Sequence, residues 1–426
     1  MNRLKSAAIF AILASSSATV YAHNDKDDSF LIPQRAVIVT GDSLKGKKLI
    51  EVLYTPANRH FRDPSAPRFL LLDREGKVAF GIGGSIKGTA SYDFCGAIDQ
   101  SSFITYDIPV PKNPALRDKL NASINNSSLF MQLVGSTEHF GNYQMYVQTY
   151  VTNLGDSGFG LRLRYAYLSL GYVTAGLTSS TFVDGNAGVA TIDNQGPCGE
   201  LYAQNVLVQY NPHFGNHWSA ALSVEMPKAT YTLAENTESL NQRVPDIPAY
   251  IQYAWGKKSH IRLSALYRNL SYRDLASGKN RFVTGWAAQL SGVAQLTPAL
   301  TMYYQGIAGK GYGRYVNDFA GNGLDLIPDG NGRLKAPTGM NFEIGFQYEF
   351  SPKAFIASSY SQARLYGQHS LGSDAYRYGQ YVSMSGFYNI VPDLQIGLEY
   401  LYGNRADINH VHNHANRINA MLKFSF

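Results

Sequence analysis

Few residues in this chain are arranged for chemistry on a substrate. The run Gly81-Ile82-Gly83-Gly84-Ser85-Ile86-Lys87-Gly88 has the glycines and lysine of a phosphate cradle. Such a cradle needs a helix directly after it, with the lysine following the last glycine. Here the lysine comes before that glycine and no helical pattern follows, so the run reads as a strand whose glycines admit a close neighbour. His410, His412 and His414, two residues apart, would share one face if extended and could hold a metal. A solvated external loop is the simpler reading. No serine, histidine and acid stand out as a hydrolytic set, although such sets are defined by geometry rather than by sequence. CxxC spacing is absent, and the basic residues are scattered without interleaved aromatics, which argues against a structural zinc site and against nucleic acid. We therefore expect no catalytic residues, no bound metal and no cofactor.

The informative side chains are charges set in a two-residue alternation, and these need strands to position them. Stretches such as Leu394-Gln395-Ile396-Gly397-Leu398-Glu399-Tyr400 and Phe342-Glu343-Ile344-Gly345-Phe346-Gln347-Tyr348 put apolar residues on one face and polar or small ones on the other. The pattern predicts strands near 76–94, 127–137, 141–151, 159–169, 172–179, 204–211, 216–226 and 248–257. It continues at 260–269, 281–294, 298–309, 339–350, 353–364, 379–389, 394–402 and 416–426. Most have the roughly 9–11 residues that a tilted strand needs to cross a membrane.

The connections alternate as well. Gaps at 95–126, 179–203, 227–247, 270–280, 310–338, 365–378 and 403–415 are long, with 152–158 a modest member of the same set. Those at 138–140, 170–171, 212–215, 258–259, 295–297, 351–352 and 390–393 are short. Long loops on one side and tight turns on the other characterise outer-membrane barrels, and a soluble sandwich has no reason to sort its loops this way. The expected fold is all-β, a 16-stranded antiparallel transmembrane barrel over residues 76–426 with short periplasmic turns and long extracellular loops.

Composition agrees. Of 426 residues only 16% are charged, 13% are aromatic with 30 Tyr and 21 Phe, and 40 are Gly. With a mean hydropathy of −0.20, the chain is no bundle of membrane helices. It suits a wall that is apolar on one face and wet on the other. Residues 1–22 read as a Sec-type signal peptide: basic Arg3 and Lys5, an apolar core from Ala7 to Ala14, and Val20-Tyr21-Ala22 before the cut. Removing its two basic residues takes the net charge from +6 to +4. Residues 23–75 lack the barrel alternation and form an N-terminal periplasmic or lumen-facing segment, with a short helix between Asp42 and Leu53 and a linker at Arg62–Pro67. Export to an oxidising compartment allows Cys95 and Cys198 to pair, but sequence leaves open whether they lie within reach.

Alternation turns Lys87, Arg162, Arg164, Arg262, Arg268, Arg417 and Lys423 inward, with Glu225, Glu343, Glu349 and Glu399. A charge facing lipid near mid-membrane costs roughly 2–4 kcal/mol, which favours this inward set. Strand direction puts Arg268 and Arg417 near the outer rim, and Lys423 and Glu349 near the periplasmic rim. Lys87, Arg162, Arg164 and Arg262 are left at intermediate depth, facing Glu343 and Glu399. Residues 179–203, rich in Gly and Asn, are expected to fold inward as a constriction loop carrying Asp184, Asp193 and Glu200. Asp184 and Asp193 are then placed to neutralise Arg162 and Arg164, or to set a transverse field. Gly84, Gly88 and Ala90 offer a flat lipid-facing surface for a neighbouring copy.

Three segments carry a family resemblance. Phe69-Leu70-Leu71-Leu72-Asp73-Arg74-Glu75-Gly76 running into Val78–Gly84, Thr181-Phe182-Val183-Asp184 through Ala190-Thr191-Ile192-Asp193 with Gly196-Pro197, and Asn416–Met421 with Phe424-Ser425-Phe426 resemble the opening, third loop and last strand of DcaP-like porins. The resemblance implies a trimeric sixteen-stranded porin of the bacterial outer membrane that passes small anionic solutes, dicarboxylates among them. The N-terminus departs from the pattern in lacking the coiled-coil extension of some members. Two other classes compete: an enzyme on a barrel scaffold, for which no convergent catalytic group is found, and a receptor or adhesin, which would usually carry a larger plug than residues 23–75.

Overall fold

The protein is described by a computed structural model over residues 37–40, 49, 50, 53, 67–97, 101–154, 158–256 and 258–426. The leader at 1–22 and most of the 23–66 segment lie outside the described residues. The first eight wall strands are β1 (Val78–Cys95), β2 (Arg117–Ser123 with Ser128–Thr137), β3 (Gly141–Asn153), β4 (Phe159–Leu170), β5 (Val173–Ser179), β6 (Gln204–Tyr210), β7 (Trp218–Glu225) and β8 (Ile247–Trp255). The second eight are β9 (Ser259–Asp274), β10 (Lys279–Gln295), β11 (Leu300–Lys310), β12 (Thr338–Ser351), β13 (Ala354–Tyr366), β14 (Tyr376–Val391), β15 (Leu394–Asp407) and β16 (His412–Ser425). Neighbours in sequence pair antiparallel, and β16 returns to β1 from Ser85↔Ser425 to Cys95↔Asn416. Phe426 completes the seam, exchanging backbone bonds of 2.8 and 2.9 Å with Gly84. Closure satisfies every edge, the condition for a sheet in hydrocarbon.

The alternation does what the sequence pattern requires. On β15 Leu398 is 63% and Tyr400 43% exposed on the lipid side, while Glu399 between them is 1% exposed. The glycine-rich run forms the foot of β1. A Cβ at Gly83 would lie 2.5 Å from the Phe130 ring, and one at Gly84 2.4 Å from the Ser128 carbonyl and 2.9 Å from Phe426. These glycines are there for close packing, and Gly84 is consequently no part of the open lipid-facing surface expected of it.

Several boundaries differ from the sequence reading. β2 gains an outer segment, Arg117–Ser123, and is interrupted at 124–127, where Ser127 Oγ accepts the Lys87 amide at 2.9 Å. The connections expected to be long at 270–280 and 403–415 are tight turns at 275–278 and 408–411, because β9, β10, β15 and β16 extend beyond the membrane band as hairpins. Polar residues on those extensions hide the strand signal. His412 and His414 accordingly lie on β16, with His410 at the turn (φ 68°) bonded to Arg377 Nη1 at 2.8 Å. Among the described residues no cluster of metal-ligating type occurs.

Ahead of β1, Phe69–Leu72 pairs antiparallel with Ala79–Ile82 and parallel with Val37–Thr40. Leu49, Ile50 and Leu53 are helical and bury against Leu70, Leu72, Ala79 and Val134. Ala79 and Val134 belong to the inward-facing rows of β1 and β2, so this small unit sits on the lumen side of the barrel's foot. At the other end, loop 1 (described over 96–97 and 101–116), loop 3 (180–203) and loop 6 (311–337) fold inward. Phe103, Ile108, Phe182, Leu201, Tyr315, Phe319 and Leu324 form one apolar core with the inward wall residues Leu266, Ile307, Leu365, Tyr381 and Leu401. Part of the outer half of the lumen is therefore filled by packed loop residues.

Candidate functional site

Loop 3 leaves the wall between β5 and β6, and successive parts of it are held by β7, by β9 and β10, and by β15. Glu225 receives the Thr181 amide (2.8 Å) and Ser180 Oγ (3.0 Å). Asp184 caps the short turn at Gly185–Ala187 and meets His260 Nε2 at 2.8 Å and Ser291 Oγ at 2.7 Å. Arg262 donates to the Val183 carbonyl at 3.2 Å and to Gln252 at 2.8 Å, lies 3.9 Å from Asp184, and stacks 4.0 Å from the Tyr250 ring centre. Farther round, Glu399 accepts the amides of Ile192 (2.7 Å) and Asp193 (2.8 Å) together with Ser385 and Asn419. Glu343 accepts from Gln305 at 3.0 Å.

Several inward charges thus have structural partners. Asp184 and Asp193 do not pair with Arg162 and Arg164, one of the two arrangements left open by the sequence. Asp184 is held at β9 and β10, and Asp193 accepts the Phe103 amide (2.9 Å), the Gly196 amide (3.0 Å) and Tyr381 OH (3.2 Å). Both aspartates belong to the loop and not to the wall. Burial and the nearby Glu399 charge raise the Asp193 carboxyl to about 7, against Arg417 and the backbone amides. Burial opposes ionisation of Asp184 too, but Arg262 and His260 hold its carboxyl below the usual range.

Two buried arginines anchor the outer plug. Arg417 makes a two-pronged pair with Asp93 (2.5 and 2.9 Å) and donates to the Ser102 carbonyl. Arg268, 0% exposed, donates to Asp246 (3.2 Å), Asp325 (2.6 Å), the Gly311 carbonyl (2.6 Å) and the Lys228 carbonyl, joining loop 4 (226–246) and loop 6 to β9. Arg268→Ala would leave the buried Asp325 without its cation and Asp246 with Arg314 alone, 3.6 Å away, and breaking a buried pair of this kind costs about 3–5 kcal/mol. The expected result is a clear fall in the temperature at which the folded, fast-migrating form is lost on gels; an unchanged transition would contradict it.

The cysteines are both buried and free. Cys95 points to the His414 carbonyl at the β1–β16 seam, while Cys198 lies in loop 3 against Ser361 and the Gly379 carbonyl. The pairing allowed by sequence does not occur, because loop 3 returns along β13 and β14 and not beside β1. Mobility should be the same with and without reductant, and both thiols should take a maleimide in denaturant without prior reduction.

What remains around the lumen is a cavity of about 350 Å³ beneath loop 3. Lys87, Arg164 and Lys423 line it, with Asp193 and Asn194 from the loop and Tyr303, Phe355, Phe387 and Met421 from β11, β13, β14 and β16. Lys87 donates to the Ile192 carbonyl (2.8 Å) and Asn194 Oδ1 (2.9 Å). In register Lys423 lies directly opposite Lys87 across the closing seam. The sequence reading had separated them in depth, because β1 begins well below the wall and places Lys87 lower than its segment suggested. Arg164 enters through a β-bulge: Gln148 pairs with Tyr165 and Thr149 with Leu163, leaving Arg164 outside the ladder. Arg164 and Tyr165 consequently both turn inward, Arg164 lying 3.4 Å from Tyr202 OH. Arg162, between lipid-facing Leu161 and Leu163, stands exposed toward the outer end of β4.

The model of the DcaP outer membrane protein family matches residues 73–245. No curated protein matches the sequence. Among solved structures, the outer membrane channel DcaP of Acinetobacter baumannii is similar with a TM-score of 0.72 and 18% identity, over 83% of this chain and 99% of that one. Salmonella typhi OmpF, in complex with daunomycin, is similar at 0.54 and 10% identity over 82% and 98%. An anion-selective porin from Comamonas acidovorans is similar at 0.53 and 10% over 82% and 100%. At these identities the structural likeness speaks for the fold alone. Residues 73–245, from β1 through the connection after β7, are thus similar to the DcaP outer membrane protein family, and the closed barrel with its apolar outer face is that of a β-barrel protein of the bacterial outer membrane.

Proposed function

We propose that the barrel is a diffusion channel for small hydrophilic solutes with a preference for anions, dicarboxylates among them, and that it has no catalytic role. The observation that carries this reading is the convergence of Lys87, Arg164 and Lys423 on one cavity whose acid, Asp193, titrates near neutrality. Rings of Arg and Lys are how pores favour anions, and guanidinium grips carboxylates through two parallel bonds. Arg162 extends the cationic path outward, whereas Arg262, Glu343 and Glu399 hold the constriction loop and its wall. The porin from Comamonas acidovorans, similar in fold, is described as anion-selective, which supports the same direction.

In this reading residues 1–22 are removed on export, residues 23–75 face the periplasmic mouth, and the barrel occupies 76–426. Three copies are proposed to assemble through the groove of small residues at Gly88, Ala90, Ala122 and Ala420 on the outer face of β1, β2 and β16. Planar-bilayer recording of purified protein tests the channel: stable conductance steps are expected, with reversal potentials in a KCl gradient of anion-selective sign. Absence of steps would overturn the channel reading, and cation selectivity the preference. Mass photometry in mild detergent showing monomer alone would overturn the trimer.

A further inference from the structure

The lipid-facing side of β11 to β16 changes character abruptly near its outer end. Apolar rows run up to Val382 and Tyr402, but the next row reads Gln362, Gln380, Asn404 and His414, each directly opposite the next across β13–β16. These side chains point out of the barrel, since Ser361, Tyr381, Leu401 and Ala415 between and beside them are buried inward. Asn404 donates to Gln380 (3.2 Å) and Gln380 to Tyr360 OH (2.9 Å), forming a polar band across the outer surface.

Above this band stand two outward cations. The Arg364 guanidinium lies 5.0 Å from the ring centre of Tyr366 and 5.8 Å from that of Tyr378, and no carboxylate pairs with it among the described residues. Lys310 ends β11 in the adjoining row, where Trp286, Lys310, Thr338 and Tyr366 succeed one another in register. Trp286 is 47% and Tyr366 40% exposed. Two strand spacings of about 4.8 Å separate the Lys310 position from that of Tyr366 beside Arg364, so the cations stand on the order of 10 Å apart.

We propose that this surface binds the phosphorylated sugar headgroup of an outer-leaflet glycolipid, with Arg364 and Lys310 on its phosphates and Trp286, Tyr366 and Tyr378 against its sugar rings. Aromatic residues mark the level of the membrane interface, where headgroups begin. A cation there with no protein anion is matched by phosphate, which guanidinium binds through paired, charge-assisted bonds. Basic clusters beside membrane-spanning elements recognise anionic headgroups on the same grounds. The amide band below supplies donors and acceptors for sugar hydroxyls where hydrocarbon would leave them unmet. This inference is independent of the channel reading, since none of its residues faces the lumen.

The test uses the full barrel in detergent micelles doped with bisphosphorylated lipid A, with fully dephosphorylated lipid A, or with phosphatidylglycerol, and counts bound lipid by native mass spectrometry. Retention of bisphosphorylated lipid A is expected to exceed that of the other two, and to fall about ten-fold or more in Arg364→Gln/Lys310→Gln, as loss of charge-assisted bonds predicts. Equal retention of the phosphorylated and dephosphorylated forms by the unaltered protein would overturn the proposal, whatever the variant's folding. So would stronger retention of phosphatidylglycerol, or a variant that changes oligomeric state while keeping its lipid, which would make the surface a contact between copies.

Discussion

Deleting residues 185–195 should raise single-channel conductance several-fold. The segment begins just after Asp184, which β9 and β10 hold through His260 and Ser291, and ends after the amides of Ile192 and Asp193 that Glu399 receives on β15. Between those anchors the loop fills the lumen above the cationic cavity. Val189 lies so close to β12 that a Cβ at Gly345 would sit 2.8 Å from it, and Ile192 is similarly placed over Gly397. Removing the segment widens the narrowest part of the route while leaving the wall pairs intact. Glu399 loses two backbone partners but keeps Ser385 and Asn419, and water entering the enlarged lumen solvates its charge. The barrel is therefore expected to fold, with its heat-shifted gel mobility retained. Bilayer recording gives the answer. Unchanged conductance would mean that the apolar core of loops 1 and 6, and not loop 3, limits flow.

That distinction could not have been drawn from sequence. The strands were legible because lipid on one side and water or polar interior on the other impose a two-residue alternation, as in Leu398, Glu399 and Tyr400. It fails in short polar segments. The hairpin extensions of β9 with β10 and of β15 with β16 are short and dense in polar residues such as Arg273, Asp274, Arg405 and Asp407, and the buried Leu270 and Tyr272 are too few to carry the alternation. Leu266, Ile307 and Leu401 point inward because apolar loop residues meet them there, a contact between segments far apart in the chain. The candidate site divides in the same way. That Lys87 and Lys423 both face inward follows from alternation within each strand. That they lie opposite one another follows from the register at barrel closure, which no local pattern encodes. Arg164 owes its place to a bulge, and the roles of Glu225 and Glu399 as receivers of loop amides depend on how the loop folds back. Cys95 and Cys198 failed to pair for the same reason.

Replacing the three cavity cations, Lys87→Gln/Arg164→Gln/Lys423→Gln, should abolish anion preference, shifting the reversal potential in a KCl gradient to zero or to cation-selective sign. At separations of about 5 Å, each unit charge acts on a passing ion with about 1–3 kcal/mol for an effective dielectric between water and protein surface. Three such charges around one cavity of about 350 Å³ outweigh the single acid there. Arg162→Ala alone should do less, because that side chain stands exposed toward the outer end, where water and salt screen it. Acidity acts in the same direction as the cations. Asp193, raised to about 7, is anionic above that pH and neutral below it, so anion preference should grow as pH falls from about 8 to 6. An unchanged reversal potential in the triple variant would remove these residues from selectivity. Lys423→Gln by itself separates function from stability. Like charges directly opposite across a strand pair are destabilising by roughly 0.2–1 kcal/mol, and Lys423 faces Lys87 with no carboxylate on it among the described residues. This variant should unfold at the same or a higher temperature while losing part of its anion preference. That combination is expected of a charge kept for the solute and not for the fold.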